Sequence, residues 1–218
     1  MARIIAPPKN RLIDMNDFEA GSSADGSPVA LGANGNFRPV PRPALTFAAS
    51  RWFSLGYPSR FTQNSSGFLL NEPLATPWYC HTPTPIDRLS AWVVTAGESS
   101  SVIRLGLCAD NNGMPGALLI DGGTISTSST GGKNVSVTYT IPRGWVWAWQ
   151  VLQDCPTTPP VLMAWQRCML DLGAVNENDT SAINCVYTTT PVSDAFPSSF
   201  PSPTLAYKMM PRIQARPA

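Results

Sequence analysis

The apolar residues of this chain come in short runs, each cut after about ten positions or fewer by proline, glycine or asparagine. Proline removes a backbone donor and clashes with the preceding helical turn, and glycine adds an entropic cost inside any regular element. With 22 prolines and 16 glycines in 218 residues, there is little room for helices. Strands of ordinary length fit between the breaks, so the expected class is all-β.

The runs themselves have the period of a strand. In SVIRLGLCAD, Ile103, Leu105, Leu107 and Ala109 share one face and Val102, Arg104, Gly106 and Cys108 the other, which predicts a half-buried strand. ALLIDGGTIS returns after the NNGMPG turn. NVSVTYTI places Val135, Val137, Tyr139 and Ile141 on a common face, and IDRLSAWVVT also alternates. In GWVWAWQVLQ, Trp145, Trp147, Trp149 and Val151 fall together, opposite Val146, Ala148, Gln150 and Leu152. Two readings of that indole row stand: an aromatic platform for a glycan, or the packing face of a sandwich, which is the commoner use of large aromatic area. VLMAWQRCML and AINCVYTTT add two more strands, and the segment from Ser193 reads as an extended closing strand with a Pro-rich tail. About eight strands fit a two-sheet antiparallel, jelly-roll-like sandwich.

The acidic turn ADNNGMPG is the place where metal or phosphate chemistry has to be weighed. Asp110, Asn111, Asn112 and Asp121 offer oxygens for calcium, but an EF-hand loop beginning at Asp110 would have Pro115 where glycine is required and Asp121 where glutamate closes the site. No G-x-x-x-x-G-K-[ST] occurs. Asn112-Gly113 and Pro115-Gly116 instead supply the conformers of a tight connection. Catalysis finds no better footing, since His81 is the sole histidine, no G-x-S-x-G elbow exists, and no pair of the 14 acids stands out. Cys80, Cys108, Cys155, Cys168 and Cys185 are an odd number with no C-x-x-C, so at least one thiol stands outside any intrachain disulfide, and most read as buried, reduced thiols. No catalytic residue, metal or cofactor is expected.

Charge narrows the partners. Charged residues make up 13% of the chain and the net charge is +1, so no field exists to attract nucleic acid or an anionic membrane. No apolar run approaches the roughly 20 residues that cross a bilayer, and the leading MARIIAPPKNRLID lacks the apolar centre of a secretory signal. The first 45 residues mix Pro, Gly, Asn and Ser with scattered large apolar side chains: Ile4, Ile5, Leu12, Ile13, Met15, Phe18, Leu31 and Phe37. Without a period they build no core, yet they are too apolar for a solvated tail. They predict an extended arm over residues 1–45 that docks on a partner, followed by a sandwich over residues 46–218.

IDRL at residues 86–89, RLGLCADNNGMPGALLIDGG at 104–123 and GWVWAWQ at 144–150, after a Ser/Thr-rich connection, together resemble a β-sandwich module of tailed-bacteriophage structural proteins. The resemblance covers roughly residues 86 to 163 and differs in having Cys108 where an aromatic is usual. It implies a non-enzymatic virion component assembled in the host cytoplasm: a capsid decoration or cement protein, with a tail-fibre, tail-tip or receptor-binding part as the alternative. The partners so implied are the major capsid protein or tail and collar proteins, and further copies of the chain, with a trimer expected by analogy.

Overall fold

The structure, a computed structural model, describes residues 29–31, 37–39, 49–56, 58–62, 69–168, 185–206 and 210–218. The chain divides into two compact units, Met1–Leu45 and Thr46–Ala218. In the first, β1 (Val29–Leu31) and β2 (Phe37–Pro39) pair antiparallel with Leu31 opposite Phe37. Two of the expected docking residues therefore lie on short paired strands. Ile4, Ile5, Leu12, Ile13, Met15 and Phe18 lie outside the described residues.

The second unit is all-β among its described residues. Its strands are β3 (Phe53–Ser54), β4 (Pro58–Thr62), β5 (Leu74–Cys80), β6 (Thr84–Thr95), β7 (Val102–Asn111), β8 (Met114–Ser126) and β9 (Gly131–Ile141), followed by β10 (Gly144–Gln153), β11 (Val161–Leu162), β12 (Ala164–Cys168), β13 (Cys185–Tyr187), β14 (Thr204–Ala206), β15 (Met210–Pro211) and β16 (Gln214–Pro217). Two antiparallel sheets form the sandwich. One is six-stranded in the order β14-β13-β5-β10-β7-β8; the other runs β11-β6-β16-β3, with β9 also paired to β6. A small third sheet has the order β15-β12-β4.

Local chemistry explains the long hairpin β7–β8. Asn112 and Gly113 sit at φ 54° and 82°, the two left-handed positions of a tight two-residue hairpin turn, and Asn111 faces Met114 across it. Pro115-Gly116, expected to share in the turn, belongs instead to β8, where Asp110 pairs with Pro115. Among the described residues β13 pairs with β5 at Leu74 and Ala75.

The inter-sheet core joins Ile103, Leu105 and Leu107 of β7 and Val146 and Ala148 of β10 to Ile86, Leu89, Ala91 and Val93 of β6 and Ala215 of β16. β9 adds Val137 and Ile141, with Val135 and Tyr139 packed at the margin, as its alternation predicts. A second cluster lies on the opposite face of the six-stranded sheet. There Cys108, Trp147, Trp149 and Val151 are covered by Val192, Phe196 and Phe200 of a strandless segment. Phe196 stacks on Trp149 with ring centroids 4.0 Å apart, and Phe200 tilts against it at 5.0 Å.

This cover corrects two expectations. β7 is not half-buried, because Gly106 and Cys108 on its second face are buried as well. Gly106 makes the closeness possible: a Cβ there would lie 2.8 Å from a Phe196 ring carbon and 2.6 Å from the Ile120 carbonyl oxygen. The closing segment, expected as one extended strand with a Pro-rich tail, instead supplies the cover, then β14 and β15, and finally β16. That last strand lies inside the second sheet, paired with β6 on one side and β3 on the other. The segment carries too many prolines for a continuous ladder, so it divides into pieces.

Polar anchors fix the cover. The Gln153 amide, itself buried, donates to the carbonyls of Val192 and Asp194 at 2.9 and 2.8 Å. The Asp121 carboxylate accepts from the Phe196 N–H at 3.2 Å while paired with Arg104 at 2.7 Å. Phe196→Ala removes the stacked ring and leaves a cavity over Trp149, so it should lower unfolding stability by about 3–5 kcal/mol. Urea denaturation followed by tryptophan emission measures this, with a red-shifted native spectrum expected as water reaches Trp149.

Candidate functional site

The period of two that buries Leu89, Ala91 and Val93 sends Arg88, Ser90 and Trp92 of β6 to the opposite, outer face of the second sheet. Register then assembles three rows. Trp92 lies opposite Gly132 of β9; Ser90 lies between Asn134 of β9 and Gln214 of β16; Arg88 lies between Ser136 and Arg216. Ser54 of β3 extends the middle row opposite Gln214. Trp52, two residues before Ser54, closes the third row, with the Arg216 guanidinium 5.8 Å from its ring centroid.

Both indoles reach solvent, Trp92 at 44% and Trp52 at 38% exposure. Trp92 lies against the glycine opposite it, since a Cβ on Gly132 would sit 3.4 and 3.5 Å from two carbons of its six-membered ring. The indole thus occupies the space of the missing side chain. Between the two tryptophans the groups are hydroxyls, amides and guanidiniums. Arg88 donates to the Asn134 side-chain oxygen at 2.7 Å. Arg216 holds Asp87 through two hydrogen bonds, one of them Nε to Oδ1 at 2.8 Å. That pairing keeps the Asp87 carboxyl below its usual range, with the charge of Arg88 adding to the effect, and raises Arg216. Two cations share one anion here.

The residues singled out in the sequence fall elsewhere. The proposed glycan face does not survive as a unit: Trp147 and Trp149 are 1% and 0% exposed under the cover, with no ring face open to a ligand. Trp147 donates its indole N–H to Asp110 at 2.9 Å. Only Trp145, ahead of the cover, is exposed, and it packs edge-on to Tyr79 at 5.3 Å, which meets His81 at 4.9 Å. Asp110 also caps the turn by accepting from the Gly113 N–H at 3.1 Å, and Asp121 accepts from Gly123 besides Arg104 and Phe196. These carboxylates, weighed as calcium ligands, serve the hairpin and the cover.

Cys80, Cys108, Cys155 and Cys185 are buried. Burial pushes Cys80, Cys108 and Cys155 above the ordinary thiol range and so away from the reactive thiolate. A shallow depression of about 330 Å³ lies in the cover, lined by Pro191, Asp194, Pro197 and Pro201 among others. Among the described residues no three His, Cys, Asp or Glu side chains group to hold a metal, and no helix is long and apolar enough to cross a membrane.

The outer face went unnoticed in the sequence because its members are scattered. Arg-x-Ser-x-Trp at 88–92 is its local trace, but Arg216 and Asp87 stand 129 positions apart and meet only through the register of β16 on β6. No family model matches the chain, and no curated protein matches it significantly.

The Asp87 pair has a pH signature. A carboxyl lowered in the folded state contributes stability above its unfolded pKa of about 3.9 and loses it as pH falls through the folded value. Asp87→Asn should therefore be less stable than the parent at pH 7, and the gap should close as the pH falls below about 4. Denaturant titrations at both pH values check this; a gap that persists in acid would assign the effect to packing.

Proposed function

We propose that this chain is a non-enzymatic structural protein of a bacteriophage virion, a capsid decoration protein whose residues 1–45 dock on neighbouring subunits. The observation that carries the reading is that Thr46–Ala218 encloses two apolar clusters of its own, one between its sheets and one beneath its cover. A body closed in this way is a rigid part, and its binding work falls to surfaces and to the preceding unit. The phage-module resemblance of residues 86–163 supplies the virion context, and its most specific block is the β7–β8 hairpin. Docking of large apolar side chains from Ile4 to Phe37 would bury area on the capsid protein, and repetition over many copies, as trimers for instance, would add avidity.

A second reading, a tail-fibre or tail-tip part that recognises a host surface, draws on the exposed Trp92. The two readings separate in one experiment. Deletion of residues 1–45 should leave a cooperatively unfolding sandwich that no longer binds purified capsids, whereas the full chain binds them. Capsid binding retained by the deleted form would overturn the decoration reading, as would capsids that bind neither form while tails bind the full chain.

A further inference from the structure

We infer that the outer face of the second sheet, between Trp92 and Trp52, binds a carboxylated polysaccharide. The inference does not depend on head or tail placement. The composition of the face selects the ligand. A protein partner is held by an apolar centre with a polar rim, and charged groups are depleted at that centre. Here the order is reversed. Indoles stand at opposite corners, and the middle row runs from half-buried Ser54 and Gln214 through buried Ser90 to exposed Asn134. A sugar has the matching pattern, with C–H faces that lie on indoles and hydroxyls that reach amides and hydroxyls.

Charge then narrows the class of sugar. Asp87 gives both oxygens to Arg216, so the second guanidinium, Arg88, has the neutral Asn134 as its partner. A carboxylate on the ligand would complete the balance of the row by a charge-assisted hydrogen bond to Arg88. Spacing is favourable too. Trp92 and Arg88 are four residues apart on one strand, about 13 Å at the rise of a strand. A chain of two or three pyranose rings spans that distance, with one ring on Trp92 and a uronate at Arg88. The support is rigid, since the backbones beneath are paired strands and the Trp92 ring is seated against Gly132.

The test uses the full chain, titrated with alginate and polygalacturonate oligomers and followed by calorimetry and tryptophan emission. Saturable binding is expected, weakened at least about tenfold by Trp92→Ala and by Arg88→Gln, while dextran does not bind and Trp145→Ala matches the parent. Circular dichroism checks that each variant is folded, and Arg88→Gln, at a half-buried position, serves alone if Trp92→Ala is not. Absence of binding to either uronate would overturn the proposal. So would equal binding of polyglutamate, which would mean charge alone, or a loss confined to Trp145→Ala, which would place the sugar on the Tyr79 patch.

Discussion

From Val146 to Gln153 strand β10 has no face turned to water, and the sandwich is arranged around that fact. Its backbone is paired on both sides, with β5 and with β7. Val146 and Ala148 point into the inter-sheet core, while Trp147, Trp149 and Val151 point into the second cluster. A strand carrying three large side chains on its outer face would leave a wide apolar surface in solvent if that face stayed open. The Val192–Phe200 segment removes the surface, and Gly106 and Gln153 are the features of the sheet that let it lie close. The arrangement gives one strand two cores.

Legibility followed sequence distance. The β7–β8 turn could be read because Asn112 and Gly113 carry the left-handed preference in their own covalent structure. The faces of β9 and β10 could be read because alternation is a property of the strand alone. Trp149 and Phe196 meet through tertiary packing, and nothing in the irregular SDAFPSSF announces what it covers. The same limit hid the outer face of the second sheet. Arg88, Ser90 and Trp92 alternate visibly with Leu89 and Ala91, but whether the outward set meets neighbours or water depends on which strands lie beside β6. Alternation alone leaves the tryptophans of GWVWAWQ open to platform or core, and the cover makes Trp147 and Trp149 core.

The two outer faces of the sandwich are thus treated in opposite ways. One is sealed by aromatic rings from a later segment, and its polar groups, Asp121, Arg104 and Gln153, are spent on holding that seal. The other keeps two indoles in solvent, with the half-buried guanidiniums of Arg88 and Arg216 on the same face. Recognition can reside on the open face because stability has been secured on the sealed one.

The place of β16 in the second sheet bears on how the protein is made. Residues 214–217 sit between β6 and β3, joining strands that leave the ribosome far earlier. Until that stretch has been synthesised, β6 has an unfilled hydrogen-bonding edge alongside Ile86 to Ser90, and the sheet cannot reach β3. Pairings this distant form late, and a nascent chain waiting for them carries an open strand edge able to recruit another. Polysomes crowded with copies of this message would be the place where such mispairing begins, and the sandwich would close only once synthesis has passed residue 217.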